Sequence, residues 1–138
     1  PRANNLHWLG GKSYAELPSY LANWDAGWMP FALNEATRFI SPTKTPEFLA
    51  AGLRLVSTAI ADVVRDYGAH GLVSILRPQD DLAAALRATL EAPPAGWLDR
   101  VDARLAGQSW DRTWSEMSQI VERHLRPAPL LTLSQKGG

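Results

Sequence analysis

Through the first half of the chain, short apolar runs alternate with helical segments. Leu6-His7-Trp8-Leu9 ends at Gly10-Gly11 and reads as a strand. Ala26 to Phe31, Leu53 to Thr58 and Gly71 to Leu76 read as three more, nearly continuous in apolar residues rather than alternating. Strands of that kind are covered on both faces, and the helices between them make the pairing parallel. The expected fold is therefore α/β, a mainly parallel sheet of about four strands flanked by helices. After Leu76 the strand signals stop and an all-helical C-terminal part follows.

The helices carry their own punctuation. Ser13 to Trp24 is helical in pattern, with Ser13 and Glu16 spaced as a capping box. An unbroken helix there would lose a hydrogen bond at Pro18, so a turn and then a helix from Pro18 is expected. Residues 32–42 show no clean period and read as an ordered loop. A short helix from about Pro46 to Ala51 is stopped by Gly52, and another covers Ala59 to Tyr67. Leu82, Leu86 and Leu90 mark one later helix; Trp97, Val101 and Leu105 mark the next. Ser109 caps a longer one striped by Trp110, Trp114, Met117, Val121 and Leu125. Indoles on such stripes are expected in the core, so Trp97, Trp110 and Trp114 read as buried, and Trp8 and Trp28, within strands, read the same way. Trp24 is left open. A domain over residues 1–126 and a frayed Pro-rich tail over 127–138 complete the organisation.

Charge and composition exclude several classes of function. Lys+Arg 14 balances Asp+Glu 14 in the 138 residues, leaving no basic stripe for nucleic acid or for an anionic membrane surface. With no cysteine there is neither a disulfide scaffold nor a thiolate metal site. His7, His70 and His124 lie on separate elements, so no metal site is expected. Phosphate-loop, dinucleotide and nucleophile-elbow motifs are missing, and no apolar run is long enough to span a bilayer. Because the first residue is Pro rather than Met, the chain reads as a piece of a longer polypeptide.

One segment concentrates polar chemistry: Ser41-Pro42-Thr43-Lys44-Thr45-Pro46-Glu47-Phe48-Leu49-Ala50-Ala51-Gly52. It follows a strand at its carboxyl end, the rim where open α/β sheets bind ligands. Thr45 reads as an N-cap, with Pro46 at the first helical position and Glu47 in the first turn. Backbone N–H groups at a helix start attract an anion, and Lys44 adds a point charge beside them. A carboxylate just inside the helix accepts hydrogen bonds from a diol such as a ribose. The competing reading is plainer: Glu47 complements the helix dipole, and Lys44 is a solvated loop charge. Glu35 and Arg38, in the preceding loop, face the same rim and have the same two readings.

The stretch PFALNEATRFISPTKTPEFLAAG, followed by Leu55-Val56-Ser57-Thr58, resembles the donor-site segment of retaining glycosyltransferases with two Rossmann-like domains, the GT-B fold, in one bacterial branch. LHWLGGKSYAELPSYLANWDAGWMPF, AIADVVRDYG and SWDRTWSEM are similar to that branch in the same order, so the resemblance spans about residues 4 to 125. It implies a Rossmann-like, carboxyl-terminal domain that binds a nucleoside diphosphate sugar, truncated at its amino-terminal side. By the same resemblance Glu47 binds the ribose hydroxyls and Lys44 lies near the diphosphate. Ser41, Thr43 and Thr45 line the donor segment, and the loop with Glu35 and Arg38 runs beside the donor sugar and phosphates.

The resemblance implies no metal and no cofactor beyond the sugar nucleotide as substrate. The remaining partner is an amino-terminal acceptor domain of the same polypeptide, in the cytoplasm or at the inner membrane surface. Two positions depart from the family pattern. Phe39 stands where many relatives have a second Glu, and Arg54 where a Pro usually follows the AAG turn. Two other readings are carried: a module of a sugar-nucleotide epimerase or mutase, and a non-catalytic binding domain. Without the family's first two strands, the edge of Ala26–Phe31 is expected to pair with Leu6–Leu9 or with another copy of the chain, so self-association of the fragment is anticipated.

Overall fold

The computed structural model describes residues 3–125. They fall into two units, one ending at Leu105 and the other beginning at Ala106. The first unit is built on a three-stranded parallel sheet of β1 (Ala26–Met29), β2 (Arg54–Thr58) and β3 (Ser74–Leu76), in the order β1-β2-β3. The α/β class and the parallel pairing are as expected, with one strand fewer. Leu6–Leu9 forms no strand, and Trp8 is 94% exposed. A four-residue segment has no sheet to join unless a neighbouring strand offers its backbone, and β1 pairs with β2 alone. The edge of β1 away from β2 is open among the described residues.

Register explains which residues are buried. Trp28 lies beside Val56, and Val56 beside Ser74, so these share one face with Arg54 and Thr58. Gly27, Met29, Leu55, Ser57 and Ile75 point to the other. On that second face Met29, Leu55 and Ile75 join Leu49, Ile60, Val63, Tyr67, Trp97 and Val101 in the main core. These come from α2 (Lys44–Ala50), α3 (Ala61–Asp66), α5 (Trp97–Ala106) and the segments beside α3. The closest approach is at Gly27, where a Cβ would sit 2.8 Å from Leu55 Cδ1 and 3.2 Å from Phe48 Cδ2. Glycine there lets α2 lie directly on β1.

The first face of the sheet is covered by α4 (Leu82–Leu90), which contacts all three strands. The leucines that mark this helix are not its buried side: Leu82 and Leu90 are exposed and Leu86 is half-buried, whereas Thr89 is buried. Thr89 satisfies its hydroxyl by donating to Ala85 O at 2.9 Å, which allows it under the sheet. Asp81 caps the start of α4, accepting from the N–H groups of Ala83 and Ala84 at 2.8 and 3.3 Å. At the other end, Arg54 Nη1 donates to Ala88 O and Glu91 O at 2.9 and 3.0 Å. Arg54 thus caps the end of a helix.

Upstream of β1, residues Tyr14–Glu16 form a single 3₁₀ turn that leads into α1 (Leu17–Leu21). Pro18 stands in the first turn of α1, where its missing N–H costs nothing. Glu16 closes the capping box, accepting from Ser13 N–H at 2.9 Å and Ser13 Oγ–H at 2.6 Å.

The second unit holds α6 (Trp110–Leu125). Ser109 caps it as expected, its Oγ accepting from Arg112 N–H at 3.1 Å. The stripe, however, is not core: Trp110, Trp114, Met117, Val121 and Leu125 are all exposed. Of the six tryptophans, Trp97 alone is fully buried; Trp28 is half-buried, and Trp24 leans on Phe48 with ring centroids 6.0 Å apart. The expected tail over 127–138 lies outside the described residues.

Candidate functional site

The segment from Pro30 to Thr43 leaves the carboxyl end of β1 and delivers the chain to the start of α2. Its middle is ordered by a box that the sequence reading passed over. Asn34 Oδ1 accepts from Thr37 N–H at 3.1 Å, and Thr37 Oγ1 accepts from Asn34 N–H at 3.0 Å. The Thr37 hydroxyl also donates to Ala32 O. Asn34-x-x-Thr37 spacing was the available signal, since Asn opens a turn in the way Ser opens a capping box. Around this box Glu35–Thr37 makes one 3₁₀ turn. Thr58 Oγ1 then ties the loop's beginning to β2, donating to Phe31 O at 2.8 Å.

Helix α2 begins earlier than the Thr-Pro pair suggests. Its N-cap position is Thr43, and Thr45 is a helical residue with no exposed surface. The Thr45 hydroxyl faces Met29 Sδ at 3.9 Å, beneath the helix and toward the sheet. Thr45 is thus a core residue and not a cap. The correction thins the expected anion site. Thr45 N–H is already used on Pro42 O at 3.2 Å, and Pro46 has none to give. Of the first-turn N–H groups, those of Thr43 and Lys44 are left unused by the helix.

Lys44 and Glu47 do come together. Lys44 Nζ donates to Glu47 Oε2 at 2.7 Å, with one helical turn between them. Glu47 keeps 28% of its side-chain surface, and Lys44 keeps 53%. The pair therefore sits half in the protein, on the rim side of α2, with one Nζ proton committed and Oε1 without a bond among the described residues. Ser41 and Thr43 are exposed nearby in sequence, and their side chains make no hydrogen bond among the described residues. Glu35 and Arg38 form a second pair, a looser one at 3.7 Å, with both side chains largely in solvent. Arg38 also lies over the ring of Phe39, 5.2 Å from its centroid. No hydrogen bond or ion pair among the described residues joins the two pairs, so the structure brings Lys44 to Glu47 and Arg38 to Glu35 as separate couples.

A third charged group stands away from the rim. Asp66 accepts two hydrogen bonds from Arg65, at 2.9 and 2.7 Å, and one from Arg104 at 3.3 Å. Arg65 also reaches Asp62 at 2.9 Å. The Arg65 guanidinium holds the Asp66 carboxyl below its ordinary range, against partial desolvation, with Arg104 helping. Arg104 stacks over Tyr67, 5.9 Å from the ring centroid, and so fastens α5 to α3. This cluster is structural, a clamp between two helices of the core.

Among the described residues no group of His, Asp or Glu is placed to hold a metal ion. No helix among them is long and apolar enough to cross a membrane. Comparison of the chain with family models, with curated proteins and with solved structures gave no match.

Proposed function

We propose that this chain is the donor-binding part of a glycosyltransferase, holding a nucleoside diphosphate sugar at the start of α2. The observation that carries the reading is the Lys44–Glu47 couple, 2.7 Å apart on the helix that follows the first strand of a parallel sheet. An ammonium and a carboxylate one turn apart match a ligand that joins a diphosphate to a diol. In the bound state Glu47 Oε1 accepts a hydrogen bond from a ribose hydroxyl while Glu47 Oε2 keeps Lys44 in place. The remaining Nζ protons point charge at the diphosphate, whose negative charge grows as the sugar departs. The N–H groups of Thr43 and Lys44 add two fixed donors, with Ser41 and Thr43 hydroxyls in the same segment. Glu35 and Arg38 stand on the loop beside them, where the sugar and phosphates would lie.

In this reading transfer also needs an amino-terminal acceptor domain of the same polypeptide, and the work is done in the cytoplasm or at the inner membrane surface. Resemblance of the segment to the GT-B donor site supports it, as does the parallel three-stranded sheet. The test is equilibrium binding of a panel of nucleoside diphosphate sugars to the polypeptide that carries this chain and to its Glu47→Ala variant. Losing a charge-assisted hydrogen bond is worth about 1.5–3 kcal/mol, so affinity should fall by roughly one to two orders of magnitude. Affinity unchanged by Glu47→Ala, or no binding to any member of the panel, removes the assignment.

A further inference from the structure

Among the described residues, the longest helix carries a continuous exposed apolar stripe. Along α6, Trp110, Trp114, Met117, Val121 and Leu125 follow one another at steps of three and four, and Ile120 widens the stripe. Exposures run from 85% at Trp110 to 49% at Ile120. With full indole surfaces of roughly 150–250 Å² each, the six side chains expose on the order of 800 Å², which is what one partner of a standard interface buries. An ordinary monomer leaves a largest patch of only about 300–600 Å².

We propose that this face binds a second copy of the same helix, antiparallel, and makes the chain a homodimer. Two observations select that occupant. The exposed area is of the size that one partner of a standard interface buries. The stripe is also self-complementary when reversed about a point between Met117 and Ser118. Trp114 then lies across from Val121 of the second copy and Trp110 across from Leu125, so each indole meets a smaller side chain, with the methionines at the centre. A parallel pair would instead stack four indoles in two layers. Antiparallel packing also opposes the helix dipoles, whereas parallel packing aligns them.

The experiment is sedimentation equilibrium of the whole chain over a concentration series, with Val121→Glu and Trp114→Gln beside it and helix content followed by circular dichroism. The expected result is a dimer whose dissociation constant rises at least tenfold in either variant, with helix content of the dilute chain retained. Direction is read by disulfide trapping, clean here because the chain has no cysteine. Trp114→Cys mixed with Val121→Cys should give the mixed disulfide. Val121→Cys alone should not, because seven residues at 1.5 Å put its two copies about 10 Å apart, beyond the reach of a disulfide. A monomer at high concentration overturns the proposal. So does a dimer that both variants leave intact, a result that would direct attention to the open edge of β1. A disulfide formed by Val121→Cys alone overturns the antiparallel arrangement.

Discussion

Helix α5 seats Trp97 and Val101 in the core at 3% and 0% exposure, while α6 leaves Trp110 and Trp114 at 85% and 70%. Both helices are amphipathic, both begin with tryptophan, and both place apolar residues at steps of three and four. They differ in what else fixes them. Helix α5 is held to α3 by Arg104, which bonds Asp66 and covers Tyr67, so its apolar side has a partner of known place. Helix α6 is stabilised locally, by the Ser109 cap and the Arg112–Glu116 pair at 2.9 Å. A stripe states that a helix has an apolar side; only contacts from outside the helix state where that side is placed.

The comparison is broken most sharply by paired alanine substitutions. Trp97→Ala should cost about 3–5 kcal/mol, enough to unfold much of the chain, because a large cavity opens in the core. Trp114→Ala, measured in dilute solution where the chain is alone, should stay within about 0.5 kcal/mol. Denaturant titration of both decides; comparable losses would mean that the two indoles have equivalent surroundings. A smaller effect tests how tightly the first unit is packed. Gly27→Ala puts a methyl 2.8 Å from Leu55 Cδ1, between α2 and β1, and should cost about 1–3 kcal/mol in the same titration. A neutral result would mean that the helix and sheet have room to separate.

The smallest effect concerns the clamp on α5. Asp66 has a folded-state pKa below its unfolded one, so its contribution is present above the unfolded carboxylate range and is lost as pH falls through the folded value. Acid should therefore weaken the wild-type chain more than Asp66→Asn, the gap being at most about 1 kcal/mol for a pair this open to water. Thermal melts of both from neutral pH to about pH 3 check it. Equal acid sensitivity would remove Asp66 from the clamp.

Much of the fold was legible because it is written in local rules. The strands at Ala26, Leu53 and Gly71 were found, each expected over a longer stretch than pairs. Ala26–Phe31 runs past Met29, while Leu53 and Gly71 stand ahead of the starts at Arg54 and Ser74, since pairing stops where the neighbouring strand stops. The Ser13–Glu16 box, the turn before Pro18, the stop at Gly52 and the Ser109 cap all stood at their expected places. Leu6–Leu9 was misread because a strand is a property of two segments, and its own residues say nothing of the other. Thr45 was misread for a different reason. A threonine before proline suits a cap, but its methyl suits a core equally well, and the pull of Met29 and the sheet decided. At the site, Lys44 and Glu47 were legible from their three-residue spacing. Their ion pair, and the Asn34–Thr37 box that shapes the loop before them, depend on rotamers that spacing does not specify.

Arg54 couples the stability of two layers of the first unit. Helix α4 is nine residues long, shorter than a helix that persists alone in water. Asp81 supplies its beginning, but at its end the carbonyls of Ala88 and of the capping residue Glu91 are bound by a guanidinium more than thirty residues earlier in the chain. That guanidinium is in place only when β2 has joined the sheet. Opening of β2 should therefore expose the end of α4 as well, and hydrogen exchange at the last turn of α4 should follow that of β2.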